Sequence, residues 1–436
     1  MLFYKPEYFL LFLPIVLILF YRSKFLGVNF KYILIISSLI FYSYWNLNYL
    51  PLIVIIIISN YFLALLIIKK KKYLAISIFY NLLILILFKY LDFLIINLNF
   101  ILDINLNLLN LPFPLALSFV TFHTIAFLVN CYDEQIKKIN LKDYFLFSIF
   151  FPPLIAGPII MYNNIVNQFN TTKINIFNSN FFNIGLMIFF IGFIKKFFFA
   201  DILGEYVDSN LSNLDNLSNL NAWMTSLAFT FQFYFDFTAY VDMATGSALL
   251  FNIVLPQNFN SPFKASSLID FWQRWHMTLT NFLTNYVYTP WILSLKNINF
   301  FKSMTILFIV FFLAGLWHGP SWNYVLFGSL QGLGLIVNHI NRNYLKLNLS
   351  KFVNIFITFN FVNLSFIFFK TKNISDGLYL IKKMFYIDIG NNLNSFVNNL
   401  NLTFMIIFVL SIIICFYFDN TYRLIKNTLS KTDINQ

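Results

Sequence analysis

Apolar residues fall along this chain in long runs, not in the alternating or 3.6-residue patterns of a half-buried soluble fold. About 20 apolar residues cross the hydrocarbon core of a bilayer. Runs approaching that length occupy 8–21, 32–48, 50–68, 73–97, 111–131, 181–200, 222–250, 321–340, 351–369 and 402–418. They predict an all-α polytopic membrane protein. Two further stretches, 144–160 and 303–316, are short or broken, the first by Pro152-Pro153 and Gly157-Pro158, the second by Gly315 and Gly319-Pro320. Counting these gives roughly ten to twelve segments, some broken or re-entrant. Broken backbone at membrane depth needs protein or a water-filled cavity around it to satisfy its polar groups.

Composition removes the soluble alternative. Of the 436 residues, 59% are apolar and 11% charged, whereas a soluble domain is about a quarter charged. The 29 Lys+Arg against 17 Asp+Glu leave a net charge of +12, but the basic residues sit in short clusters between apolar runs, which is a pattern of membrane orientation and not of nucleic-acid binding. Lys69-Lys70-Lys71-Lys72 follows an apolar run and is expected on the cytoplasmic side; the loops 98–110, 204–221 and 386–401 are then expected outside. That parity requires 144–160 to enter and leave on one side. Lys195 and Lys196, near the expected outer end of their span, fit it badly.

The first apolar run, Tyr8 to Phe20, is expected to be retained, because the first alanine is Ala64 and no A-x-A cleavage site follows the run. Cys131 and Cys415 stand beside apolar stretches with no C-x-x-C spacing, which suggests neither a disulfide nor a zinc site. Asn, Ile, Phe and Lys recur throughout, and no function is read from that bias. Neither an internal repeat nor a long soluble linker divides the chain, so 1–436 reads as a single membrane domain.

The candidate chemistry rests on few residues. The four histidines are His123, His276, His318 and His339. His318 lies in Gly315-Leu316-Trp317-His318-Gly319-Pro320-Ser321-Trp322-Asn323, where the proline disfavours helix at the residue before it. It therefore sits at a helix break, and the run 303–316 before it extends about 21 Å as helix, short of the roughly 30 Å core. Imidazole accepts a hydroxyl proton near neutral pH, which suits a buried histidine to general-base work; the alternative is a histidine hydrogen-bonded at a helix end.

Read as one helix, 270–286 is amphipathic, with Trp272, Trp275, Leu279, Phe282, Leu283 and Tyr286 on one face and Gln273, Arg274, Thr278, Asn281, Thr284 and Asn285 on the other. His276 falls at the border of the apolar face. The segment reads either as a cavity lining or as an interfacial tryptophan belt that contains a histidine. Asp236 and Asp242 are carboxylates within an apolar span and need partners; they either line a path or pair with Lys195, Lys196 or Arg274. His123 reads as a buried, satisfied histidine and His339 as a helix-end one. Gly328 and Gly332 form a G-x-x-x-G that suits close helix packing. The chain lacks H-E-x-x-H, a Walker A loop, G-x-S-x-G and a dinucleotide glycine fingerprint.

With these residues in view, the chain resembles the membrane-bound O-acyltransferase family, and within it the alginate O-acetyltransferase-like bacterial branch. The carriers are Phe150-Phe151-Pro152-Pro153-Leu154-Ile155-Ala156-Gly157-Pro158-Ile159, Gly192-Phe193-Ile194-Lys195-Lys196 with Ala200-Asp201, and Phe231-Gln232-Phe233-Tyr234-Phe235-Asp236-Phe237. Leu255-Pro256-Gln257-Asn258-Phe259-Asn260-Ser261-Pro262-Phe263, Asp270-Phe271-Trp272-Gln273-Arg274-Trp275-His276 and Gly315-Leu316-Trp317-His318-Gly319 complete them, from about residue 115 to 340. Pro6-Glu7-Tyr8-Phe9-Leu10 and Phe366-Ile367-Phe368-Phe369 resemble the family more loosely.

The resemblance implies a helical shell around a central funnel in the bacterial cytoplasmic membrane. It implies His318 and His276 as the catalytic pair, and Trp317, Asn323, Trp272, Arg274 and Asp236 as residues shaping or binding in the chamber. The implied donor substrate is acetyl-CoA, with no covalently bound cofactor and no metal; the implied acceptor is a hydroxyl of alginate, peptidoglycan or another glycan, reached through a separate periplasmic or membrane-tethered partner. Relatives often carry Arg where this chain has Gln273, and Arg-Asp where it has Thr284-Asn285, so acceptor or partner contacts are expected to differ. Teichoic-acid D-alanylation is the alternative inside the family. A polysaccharide exporter using broken segments and buried aspartates and a scaffold for a glycan-modifying complex are the alternatives outside it.

Overall fold

The computed structural model describes residues 1–386 and 401–432, and among them the regular structure is helical, with no strand. The expected outer loop 386–401 falls almost wholly on 387–400, outside the described residues. Asparagine recurs at helix starts. The side chains of Asn29, Asn140, Asn299, Asn373 and Asn401 each accept a backbone N–H of the first turn they precede, satisfying donors that a helix leaves orphaned. Part of the asparagine bias is therefore a set of N-caps.

The described chain groups into two compact units. One comprises Met1–Ile191, Tyr240–Gln257 and 428–432. Its helices include Leu13–Arg22, Phe30–Ser43, Leu50–Lys69, Tyr73–Leu85, Leu91–Leu102, Leu117–Tyr132, Leu141–Ile149 and Tyr162–Phe169. The proline-rich stretch after Ile149 runs without regular structure to Met161 and is packed inward, with Phe150, Phe151, Leu154, Ile159 and Ile160 all buried. Its freed backbone finds side-chain partners: Phe151 N donates to Ser38 Oγ at 3.1 Å and Ile160 N to His123 Nε2 at 3.2 Å. His123 is thus a satisfied buried histidine. Tyr8 O–H reaches Ser247 Oγ at 2.8 Å, tying the N-terminal segment to the C-terminal part of the helix Asn219–Leu250.

The second unit comprises Gly192–Ala239 and the described residues of 258–427. It holds the helix pair Phe300–His318 and Trp322–Ile340, the helix Lys351–Lys370, the short helices Leu268–Trp272 and Met277–Leu283, and the helix Leu402–Tyr417. All seven candidate site residues belong to it.

Several spans differ from expectation. Among the described residues, four helical runs are long and apolar enough to cross a membrane: Leu47–Lys69, Tyr73–Leu102, Phe300–His318 and Lys351–Lys370. Phe30–Ser43, Leu117–Tyr132 and Leu402–Tyr417 are apolar but shorter. The run expected to be short, 303–316, belongs to a 19-residue helix from Phe300 to His318, about 28 Å long at 1.5 Å per residue. Helix length therefore gives no ground for placing His318 short of the far interface. Lys302 does not end that helix early, because Asn299 accepts its backbone N–H and its Nζ turns back to Asn297 O at 2.9 Å. The span expected at 181–200 continues through a π-helical turn, Lys195–Asp201, into Ile202–Leu211. Asn219–Leu250 is 32 residues long, about 48 Å, and its buried Thr225, Ser226, Thr230, Thr238, Thr245 and Ser247 mark it as a helix facing protein along most of its length.

Candidate active site

His318 is the last residue of its helix. Gly319 is extended at φ −174°, and Ser321 caps the next helix by accepting Asn323 N at 3.3 Å. Pro320 thus stands ahead of the second helix and not in its first turn. The two helices meet backbone to backbone. A methyl carbon on Gly315 would lie 2.8 Å from Gly328 Cα, and one on Gly328 would lie 2.7 Å from Gly315 Cα. Gly332 has looser neighbours, the nearest at 3.2 Å, so the tight crossing pairs Gly328 with Gly315. Three residues beyond that crossing, the half-buried His318 ring packs among aromatic rings, with centroids 4.9 Å from Trp317, 5.1 Å from Phe369, 6.2 Å from Phe327 and 6.5 Å from Tyr324.

His276 is reached by a different device. The single amphipathic helix expected over 270–286 does not form: Leu268–Trp272 and Met277–Leu283 are separate helices, and His276 between them is left-handed, at φ +44° and ψ 50°. This region is uncommon for a residue with a Cβ and persists where its surroundings over-determine it. Here they do. Met277 N donates to Asn258 O at 2.9 Å, and Asn260 N donates to Arg274 O at 2.9 Å. Asn258 Oδ1 accepts from Thr278 Oγ1 at 2.8 Å and Thr278 N at 3.3 Å, and stands 3.0 Å from His276 Nδ1. The segment 258–260 thereby straps the histidine turn on both sides. The helical spacing of the apolar residues survives the break, since Trp272, Trp275, Leu279 and Phe282 are all buried, but Thr278, expected on the polar face, is buried too, and His276 is 1% exposed instead of lying at a border.

The histidine turn hangs on the helix that follows His318. Leu268 N donates to Asn338 Oδ1 at 2.7 Å. Trp272 Nε1 donates to Gln331 Oε1 at 3.1 Å, and Gln331 Nε2 donates to Ser365 Oγ at 2.6 Å. The Trp272 ring also meets Phe311 edge-on at 4.9 Å. One helix pair thus carries His318 at its break and supports the turn that presents His276. Burial, aided by the nearby positive form of His318, pushes the His276 imidazole down to about 3, so it is neutral at physiological pH.

The other expected residues have identifiable ties. Arg274 Nε pairs with Asp270 Oδ1 at 2.6 Å and its NH1 group donates to Asn260 O at 3.3 Å. Asn323 is buried and gives its amide to Thr371 O at 2.7 Å. Asp236 accepts from Lys196 Nζ at 2.7 Å, and Asp201 shares the same ammonium at 2.9 Å. Its neighbour Phe237 meets the His276 ring edge-on at 4.9 Å. His339, in the last turn of its helix, lies 3.3 Å from an Arg342 guanidinium nitrogen.

Asn258 is the residue that the chemistry-led reading of the sequence passed over. Its signal was available: it stands in a polar, proline-flanked stretch of an apolar chain, in Pro256-Gln257-Asn258-Phe259-Asn260-Ser261-Pro262.

Comparisons with known proteins bear on the family of the chain. The model of the membrane-bound O-acyltransferase family matches residues 33–381, well beyond the motif-bearing 115–340. A peptidoglycan O-acetyltransferase of Helicobacter pylori is 36% identical over 389 residues, covering 80% of this chain and 73% of that protein. A protein of Pseudomonas aeruginosa named probable alginate O-acetylase is 31% identical over 419 residues, covering 92% of this chain and 78% of that one. A teichoic acid D-alanyltransferase of Streptococcus thermophilus is 27% identical over 294 residues, covering 62% and 70%. The helix-break histidines, the helical membrane fold and a family match across most of the sequence lead to one assignment: the chain belongs to the membrane-bound O-acyltransferase family and is an acyltransferase.

Proposed function

We propose that this chain, in the bacterial cytoplasmic membrane, moves an acetyl group from cytosolic acetyl-CoA toward hydroxyls of an extracytoplasmic glycan, peptidoglycan or an alginate-like exopolysaccharide, through a separate periplasmic or membrane-tethered partner. The observation that carries the reading is the shared support of His318 and His276 by one helix pair. Relatives named for O-acetylation of peptidoglycan and of alginate favour acetyl and glycan as the transferred group and acceptor class.

In the reaction, the acceptor oxygen attacks the thioester carbonyl carbon; a C–O bond forms and the C–S bond breaks. His318 takes the hydroxyl proton as general base and delivers it to the departing CoA sulfur, a role worth about 10²- to 10⁴-fold in rate. His276 is the second polar group, orienting or stabilising the reacting species. Trp317 and Trp272 shape the chamber by packing on His318 and anchoring the His276 turn; Asn323, Arg274 and Asp236 hold the frame around them.

The test is transfer of radiolabelled acetyl from acetyl-CoA in membranes containing the wild type, His318→Ala or His276→Ala, with a candidate partner supplied. Label reaching glycan or partner in the wild type alone supports the reading; equal labelling in all three refutes it. D-alanyl transfer from a carrier-protein thioester is the second reading, favoured by the teichoic acid D-alanyltransferase relative. Label taken from D-alanyl carrier protein, and not from acetyl-CoA, would select it.

A further inference from the structure

Asn258 Oδ1 faces three groups at once, and their chemistry fixes what each must be. The Thr278 backbone N–H, 3.3 Å away, is an obligate donor. The Asn258 atom facing it must therefore be the carbonyl oxygen and not the amide nitrogen, which settles the orientation of the side chain from the hydrogen-bond network. The same oxygen lies 3.0 Å from His276 Nδ1, and a carbonyl oxygen only accepts. Nδ1 must then carry a proton. In a neutral imidazole with Nδ1–H, Nε2 holds a lone pair and no hydrogen.

We infer that Asn258 is a positioning residue that locks His276 as the Nδ1–H tautomer, so that His276 can enter the acyl transfer through Nε2 only as an acceptor and not as a donor to the developing oxyanion. The inference rests on the proposed participation of His276 and narrows its role to that of an acceptor, excluding oxyanion donation. Four features of the turn serve that end. Asn258 is 2% exposed, its backbone oxygen holds Met277 N, its side chain holds Thr278 at two points, and the left-handed His276 between them leaves the imidazole no second register. A ring whose other nitrogen is held in this way keeps both its tautomer and its direction.

The direct test is ¹⁵N spectroscopy of the full-length protein labelled at histidine and reconstituted in lipid bilayers, with the His276 signals identified by their loss in His276→Gln. The expected result is a protonated Nδ1 and a bare Nε2 at neutral pH; an Nε2–H signal for His276 overturns the inference regardless of any activity. Kinetics supply a second arm. Asn258→Leu, close in shape but without the acceptor, should lower kcat by about 10- to 100-fold, the usual cost of losing such a supporting partner, with KM for the acyl donor little changed. Asn258→Asp keeps an acceptor oxygen and should restore most of that loss. Wild-type kcat in a folded Asn258→Leu overturns the inference, and if that variant does not fold the wild-type tautomer alone decides. Full transfer by His276→Gln would instead refute the proposed role of His276 while leaving the tautomer readable.

Discussion

Replacing Gly315 by alanine tests whether backbone contact sets the position of His318. The added methyl carbon would stand 2.8 Å from Gly328 Cα and 2.9 Å from Gly328 N, and would also press on Tyr324 O. Carbon atoms rest at about 3.5–4.0 Å, so the two helices must part by about 1 Å at the crossing. Overpacking of this kind costs about 1–3 kcal/mol. With His318 as the proposed general base, one helical turn from the crossing, the effect on chemistry should exceed that on stability, because a misplacement of about 1 Å at a reacting group costs about 10²-fold in rate. Gly332→Ala is the internal control: its nearest neighbours, at 3.2 to 3.3 Å, need to give only by tenths of an ångström. The assays are thermal unfolding of the purified protein in detergent and steady-state transfer of labelled acyl group. Gly315→Ala should lower kcat by about 100-fold while remaining folded, and Gly332→Ala should stay within a few-fold of the wild type. Equal kcat in Gly315→Ala and the wild type would refute the claim that the glycine crossing positions the histidine.

Other perturbations follow from the same contacts. Asn323→Ala leaves the buried Thr371 carbonyl without its 2.7 Å donor and should destabilise the protein by about 1–3 kcal/mol, measured as a fall in the unfolding midpoint. Lys196→Met removes the ammonium shared by Asp201 and Asp236; the yield of folded protein on size-exclusion chromatography should fall, and Lys196→Met combined with Asp236→Asn should recover part of it. His276, ordinarily near 6.5 and held down to about 3 in the fold, binds its proton more readily when unfolded. Its contribution to stability is therefore complete above about pH 6.5 and is lost as pH falls toward 3, with a slope of at most about 1.4 kcal/mol per pH unit. The pH dependence of unfolding should be shallower in His276→Gln than in the wild type, and identical slopes would contradict this placement of the histidine.

The sequence carried the helical membrane class and the break at His318 openly, because glycine and proline beside Trp317-His318 leave few other backbone courses. It concealed the break at His276. Trp272, Trp275, Leu279 and Phe282 keep helical spacing across that turn, and what opens it is a strap from Asn258 to Asn260, more than a dozen residues upstream, which local periodicity does not register. The same periodicity puts Thr278 on the polar face, yet its hydroxyl is held by Asn258. The apolar run 303–316 is shorter than the helix ending at His318 because Lys302 interrupts it, although Asn299 caps the helix before that lysine. The awkward lysine is a pairing question: Lys196 takes Asp236, one of the pairings the sequence offers, and also Asp201, which the count of charges along the spans does not reveal.

That three-residue ion cluster also bears on how the protein is made. Lys196 stands near the midpoint of the helical run 179–211, and Asp236 lies within the next long helix, Asn219–Leu250. Neither helix is among the described runs long and apolar enough to cross a membrane; should the first enter one, a lysine at the centre of a bilayer costs about 2.5–3.5 kcal/mol on its own, whereas one opposite a carboxylate is largely neutralised. Inserting the two helices together would then cost less than inserting the first alone, so the charge of a neighbour enters that cost as much as the hydrophobicity of the helix itself.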